Sequence, residues 1–221
     1  LSSSWATSIT RSYPPTPRAD TRPTRHVVMS ETNDVVLFEV SERIATITLN
    51  RPEARNALSS EVLRLLPQRM REANERDDVD VIVLTGTDPA FCAGLDLREL
   101  GSTAGNLGSG SGADGRPNSD GVRGPFPMVD KPLIGAINGV AVTGGFELAL
   151  NCDFLVASEH AKFGDTHARV GVMPGWGLTV LLPQAIGVRR AREMSFTGNF
   201  FPAFSITYDF CNPAAGKSVD F

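Results

Sequence analysis

Cysteine and histidine are scarce in this 221-residue chain, three of each, and that scarcity argues against several classes of protein at once. Cys92, Cys152 and Cys211 are odd in number and far apart, which fits the reduced thiols of a cytoplasmic protein better than a disulfide framework. Cys92 and Cys152 read as small buried apolar residues. His26, His160 and His167 are equally scattered, so no Cys or His pair stands at ligand spacing and no metal is expected. A basic excess is missing too. With 21 Lys and Arg against 25 Asp and Glu, the net charge is −4 and the pI near 5.4, and a nucleic-acid partner is not expected. No apolar run reaches the roughly 18 residues of a membrane-spanning helix, so neither is a membrane. What is present, 41% hydrophobic and 21% charged residues, is the mixture of one ordinary globular domain able to bury a core.

The first 28 residues are rich in Ser, Thr, Arg and Pro, with Asp20 as their one acid, and superficially resemble an organellar leader. Prolines 14, 15, 17 and 23 oppose the amphipathic helix such a leader uses, so Met29 reads as a natural start and residues 1–28 as a disordered or extraneous extension. Residues 29–199 read as the folded core. Val35 to Val40 and Arg43 to Leu49, rich in branched residues, predict a β-hairpin. Ser59 or Ser60 caps a helix running to about Arg76, with Leu63, Leu66, Met70 and Ala73 on its buried face. Val81 to Thr85 predicts a strand buried on both faces, and Leu133 to Ile137 and Phe154 to Ala157 predict further strands. Gly144-Gly145 opens a helix, and Leu178 to Ile186 forms another, ended by Gly187. The Gly-, Ser- and Asn-rich stretch Gly101 to Pro127 reads as a mobile loop or lid. Alternation of strands and helices makes the class α/β.

Chemistry is concentrated in two glycine-containing loops, each following a predicted strand. Such loops aim backbone N–H groups at a ligand, and a helix N-terminus adds partial positive charge, an arrangement suited to an oxyanion. Gly94 and Gly144-Gly145 could equally serve only to turn the chain.

The ordered runs Leu49-Asn50-Arg51-Pro52-Glu53-Ala54-Arg55-Asn56-Ala57-Leu58, Ala90-Phe91-Cys92-Ala93-Gly94-Leu95-Asp96-Leu97, Asn138-Gly139-Val140-Ala141 and Gly144-Gly145-Phe146-Glu147-Leu148 resemble successive signatures of the crotonase (enoyl-CoA hydratase) family. Cys152-Asp153, Ala161-Lys162-Phe163-Gly164, Gly171 with Pro174, and Gly175-Trp176-Gly177 match as well, so the resemblance covers about Val35 to Asn199. It implies a spiral of repeated ββα units that handles acyl-CoA thioesters. Two backbone amides, mapping to Leu95 and Gly144, would polarise the thioester carbonyl. Ala54, Arg55, Ala57, Ala93, Gly94 and Asp96 match positions lining the coenzyme A site, with Arg55 a chemically sensible partner for phosphate. Coenzyme A is then part of the substrate, and no cofactor is implied. Glu147 matches the first of the two glutamates that hydratases use to hold and activate water; an exposed first-turn glutamate is its plainer reading.

Two departures qualify what is implied. Aligning Phe163-Gly164 puts His167 at the position of the second glutamate, with Thr166 in place of the usual proline. An imidazole of ordinary pKa near ~6.5 can exchange a proton with the substrate's α-carbon. Asp165 can supply a carboxylate or hydrogen-bond that imidazole, and a satisfied structural histidine is the alternative. The second departure is residues 200–221, an atypical tail standing where the family has helices that complete the acyl pocket and pack subunits into homotrimers or hexamers. The C-terminal helical part therefore reads as truncated or replaced. The leading expectation is a lyase hydrating trans-2-enoyl-CoA, with Glu147 and His167 catalytic. The alternatives are double-bond isomerisation through the same enolate and a non-catalytic acyl-CoA-binding or degenerate homologue.

Overall fold

The computed structural model describes residues 34–102 and 124–205. The expectations for residues 1–28, for 103–123 within the glycine-rich stretch, and for the tail past Ser205 lie outside the described residues.

Among the described residues nine strands fall into two sheets. In the larger, β1 (Val36–Ser41), β2 (Ile44–Leu49), β3 (Val81–Gly86), β5 (Leu133–Ile137) and β7 (Phe154–Ala157) lie in the order β1-β2-β3-β5-β7. The β1–β2 hairpin is antiparallel and the remaining pairs are parallel. The smaller sheet takes β4 (Ala90–Cys92), β6 (Val140–Val142), β8 (Lys162–Gly164) and β9 (Phe201–Pro202), in that order. Each of the pairs β3–β4, β5–β6 and β7–β8 gives one strand to each sheet and then enters a helix: α2 (Leu97–Ser102), α3 (Gly144–Leu150) or α4 (His167–Val170). This is the expected ββα repeat, present three times.

The long elements follow their sequence patterns. Ser59 caps α1 (Ser60–Glu75), its hydroxyl accepting from the Val62 N–H at 3.3 Å. The buried stripe is Val62, Leu66, Met70 and Ala73; Leu63, expected in the core, is only half-buried because the inward ridge follows the four-residue spacing back to Val62. Strand β3 is not covered equally on its two faces. Ile82 and Leu84 are fully buried, whereas Val81, Val83 and Thr85 are partly exposed. α5 (Leu178–Ile186) and α6 (Val188–Thr197) pack on each other at the C-terminal end.

The edges of the glycine-rich stretch are structured, since Gly101 and Ser102 finish α2 and Phe126 is buried. The paired structure also runs past Asn199. β9 pairs antiparallel with β8, setting Phe201 opposite Phe163, and the Ala203 N–H donates to the Ala161 carbonyl at 3.0 Å.

α3 begins hard against the smaller sheet. A Cβ on Gly145 would run into the carbonyl oxygen and Cβ of Cys92 at the end of β4. Backbone there cannot yield cheaply. Gly145→Ala is therefore expected to destabilise the fold by about 1–3 kcal/mol, the usual range for overpacking a tight core. The denaturant midpoint in urea, at unchanged slope, is the measurement; an unshifted midpoint would show that β4 and α3 separate freely.

Candidate active site

Two loops approach each other above the smaller sheet. The first, Ala93–Asp96, leaves β4 through Gly94 at φ +85°, where a Cβ would collide with the Thr143 hydroxyl. The second turns from β6 into α3 at Thr143, whose φ of 49° is unusual for a β-branched residue and marks local strain. An added Cβ on Gly144 would meet the Trp176 ring at 3.1 Å and Leu58 at 3.3 Å. Glycine is what lets the loops and the Trp176 segment close on one space.

That space is a cavity of about 130 Å³, lined by both loops, by Glu147, by Thr166 and His167, and by Val170, Val172, Met173 and Trp176. It gathers Ala93, Leu95, Gly144, Glu147 and His167 from three separate stretches of sequence. Among the described residues the Leu95 and Gly144 N–H groups have no backbone acceptor. Two donors on neighbouring loops suit a single ligand oxygen.

Ala54, Arg55, Ala57, Gly94 and Asp96 do not line this cavity. Residues 54–58 are nevertheless tied to the first loop. Ala93 donates to the Arg55 carbonyl at 3.0 Å, and Leu58 donates to the Gly94 carbonyl at 2.8 Å. Asp96 has a structural duty as well. Its carboxylate pairs with Arg51 at 3.0 Å, and although burial opposes its ionisation, the Arg51 guanidinium and nearby backbone N–H groups hold it below the usual carboxylate range. Arg55 is exposed, in the left-handed conformation at φ 52°.

Glu147 is 2% exposed, which contradicts its plainer reading as an exposed first-turn residue. Its Oε1 accepts from the Trp176 N–H at 2.7 Å and the Leu178 N–H at 3.2 Å, satisfying donors at the start of α5 that no helical carbonyl reaches. Its Oε2 lies 3.4 Å from His167 Nε2. On the other side of the ring, Nδ1 is 2.7 Å from Asp165 Oδ1, which also accepts the His167 backbone N–H at 3.3 Å. Two buried carboxyl groups therefore flank one buried imidazole. Burial opposes a charge on His167, but hydrogen bonds and charges from Asp165 and then Glu147 outweigh it and raise the imidazole to about 9. Burial likewise pushes Asp165 up, and the His167 and Ser195 side chains more than compensate, lowering it.

At neutral pH the ring is thus an imidazolium between two carboxylates, a donor rather than a base. Cys92 is no alternative nucleophile, since burial pushes its thiol up to about 12. Cys152, half-buried and likewise pushed up to about 12 by burial, lies outside the cavity. Among the described residues no group of His, Cys, Asp and Glu is arranged to hold a metal ion. Trp176 went unassigned from sequence although its Gly-Trp-Gly setting was visible; Val170, Val172 and Met173 carry no signal there, as their relevance is only their place on the cavity wall.

The family model described as enoyl-CoA hydratase/isomerase matches residues 39–205. Among curated relatives, the chain is 42% identical over 172 residues to a protein of Arabidopsis thaliana named probable enoyl-CoA hydratase 1, peroxisomal, covering 76% of this chain and 62% of that one. It is 37% identical over 186 residues to the (E)-benzylidenesuccinyl-CoA hydratase of Thauera aromatica, covering 81% of this chain and 71% of that one. The crystal structure of enoyl-CoA hydratase from Mycobacterium tuberculosis superposes with a TM-score of 0.69 at 49% identity, over 80% of this chain and 72% of that one. The chain spans less than two thirds of the length of its plant relative.

The charge on His167 has a direct consequence for stability. With the imidazole raised from 6.5 to about 9, its contribution is fully present below pH 6.5 and is lost as pH rises through about 9. Asp165 acts in the opposite sense: its contribution is present above its ordinary 3.8 and is lost as pH falls through its lowered value. Histidine C–H resonances followed against pH, with His167 assigned through His167→Gln, are expected to give a midpoint near 9 for this ring. A midpoint near 6.5 would remove the neutral-pH imidazolium.

Proposed function

The chain belongs to the enoyl-CoA hydratase/isomerase family, and from that premise we propose that it adds water across the double bond of a trans-2-enoyl-CoA to give a 3-hydroxyacyl-CoA. The observation that carries this reading is the contact of the Glu147 carboxylate with His167 in the same cavity as the Leu95 and Gly144 amides.

In this reading the thioester oxygen accepts from the Leu95 and Gly144 N–H groups. Water held by Glu147 gives a proton to its carboxylate as the oxygen bonds to the β-carbon, and the alkene electrons move into an enolate on the thioester. The His167 Nε2–H then delivers its proton to the α-carbon. Glu147, now protonated, returns a proton to the neutral ring across the 3.4 Å contact. Water is consumed and both groups end as they began. A neutral imidazole with its one N–H on Nδ1 facing Asp165 would have no proton on Nε2 to deliver, so the charge on His167 supports the order of events.

Coenzyme A enters as part of the substrate, and no separate cofactor is called on. Exposed Arg55, on the loop tied to Ala93, offers its guanidinium to a phosphate of that group. The family resemblance supports a homotrimer or hexamer, and exposed Phe154 and Val156 on the edge strand β7 give an apolar surface for association. Among the described residues Cys92 and Cys152 are unpaired, which supports a reducing compartment such as the cytoplasm. Among the described residues no helix is long and apolar enough to cross a membrane.

The purified protein should remove the enoyl absorbance of crotonyl-CoA, with 3-hydroxybutyryl-CoA as product and a rate that falls as pH rises through about 9. Glu147→Gln keeps an oxygen for the Trp176 and Leu178 N–H groups but loses the base, and should cut kcat by about 10²–10⁴-fold with the fold intact. A shifted alkene as the product would replace hydration by isomerisation. A folded protein that binds crotonyl-CoA without turnover would leave only a binding role.

A further inference from the structure

Resting on that reading, we infer that Asp165 and His167 act as one neutral proton-donating unit, in which Asp165 is a positioning residue acting through the ring, and that this pair stands in for a glutamic acid at the second catalytic position.

The inference starts from charge. A pair of catalytic glutamates that shares one proton carries a net charge of −1, one member acting as base and the other as acid. Replacing the acid by an imidazolium alone would give the cavity a net charge of zero and would pair the base directly with a full cation. Asp165 corrects this. Carboxylate and imidazolium together are neutral and carry one transferable proton, as a carboxylic acid does, and the Glu147–His167–Asp165 set returns to −1. Geometry supports the substitution. Asp165 is 4% and His167 5% exposed, so water screens their attraction little. One carboxylate oxygen of Asp165 engages both the Nδ1 and the backbone N–H of His167, which fixes the ring and commits Nδ1 to carrying a proton. The remaining ring nitrogen, Nε2, is the one beside Glu147 in the cavity. Asp165 itself does not line that cavity, so it acts on the substrate only through the ring.

The groups facing this pair are few. α3 contributes Glu147. α6 contributes the Ser195 side chain, which hydrogen-bonds Asp165. Of the charged residues on α4 and α6, Arg169 turns to the Thr197 carbonyl and the Asn199 side chain, Arg190 pairs with Glu193, and Arg189 and Arg192 are exposed. The proton affinity of the ring is therefore set by Asp165 and Glu147.

Asp165→Asn is the test, read in two ways. By NMR, the His167 midpoint should fall by about one to two pH units from its wild-type value, as removal of an adjacent opposite charge demands. In crotonyl-CoA hydration, the alkaline limb of kcat should move toward acid by the same amount, with kcat at pH 8.5 about 3–25-fold lower and KM within about 3-fold. Ser195→Ala, which removes a third hydrogen bond to Asp165 and leaves more of its charge to act on the ring, should move both readings toward higher pH by less, and covers the case in which Asp165→Asn does not fold. A glutamic acid needs no carboxylate behind it, so Asp165→Asn with His167→Glu should be more active than His167→Glu alone. An unmoved His167 midpoint, or a kcat lowered equally at every pH, would leave Asp165 a structural residue and overturn the inference. Absence of hydration by the wild-type chain would overturn the proposed reaction instead, while the NMR shift would still decide whether Asp165 sets the charge on the ring.

Discussion

Burial of the Glu147 carboxylate is the interaction on which the rest of this site depends. An ionised carboxylate taken out of water is tolerated only when donors replace the water it loses. Here the donors come from two directions. Trp176 and Leu178 supply backbone N–H groups at the start of α5, and His167 supplies its ring. Because one oxygen is occupied by backbone, that end of Glu147 is fixed as firmly as the start of α5 itself. The other oxygen is the one left beside the ring. A single side chain thus joins α3, α5 and α4, and it divides its two oxygens between backbone and ring.

That division requires α3 to start very close to β4, and the sequence meets the requirement with backbone rather than side chains. Gly145 lies against Cys92, Gly94 lies against Thr143, and Thr143 takes a positive φ just before the helix. Strain of that kind persists only where neighbouring structure over-determines the backbone. Thr143 donates to Gly164 on β8 at 3.2 Å and accepts from Glu147 at 3.0 Å, so β8 and α3 together hold it. The loops that carry Leu95 and Gly144 are therefore packed directly against each other at Gly94 and Thr143.

Legibility in the sequence followed element length. β1, β2, β3, β5 and β7 are four to six residues of mostly branched or apolar side chains, and α1 and α5 repeat their apolar positions at helical spacing, so periodicity reveals them. β4, β6 and β8 have three residues each and β9 has two; no periodicity exists over so short a run, and these strands are made by pairing with one another. The site divides in the same way. Glu147, Leu95 and Gly144 stand in motifs whose order can be read, and the Asp165-Thr166-His167 spacing already allowed a carboxylate to meet the imidazole. The charge on that imidazole could not be read, because it depends on three groups being buried together.

α4 shows how far the site depends on tertiary support. Four residues long, with no side-chain cap and with Gly171 ending it in the left-handed conformation, it has too few hydrogen bonds to be stable alone. His167 is its first residue, so the position of the ring is set from outside. Asp165 holds one end, and Arg169 holds the other by reaching the Thr197 carbonyl at 2.8 Å and Asn199 at 3.1 Å, just past α6. Gly198 makes room for that arginine, since a Cβ there would collide with its guanidinium arm at 2.5 Å. α6 also sends Ser195 to Asp165. The same ten-residue helix therefore supports the carboxylate that charges the ring and the turn that carries it. Loosening α6 would loosen the proposed proton donor before it disturbed either of the glycine loops, because those are held by β4, β6 and β8. The proposed acid and the loop amides thus rest on different parts of the fold.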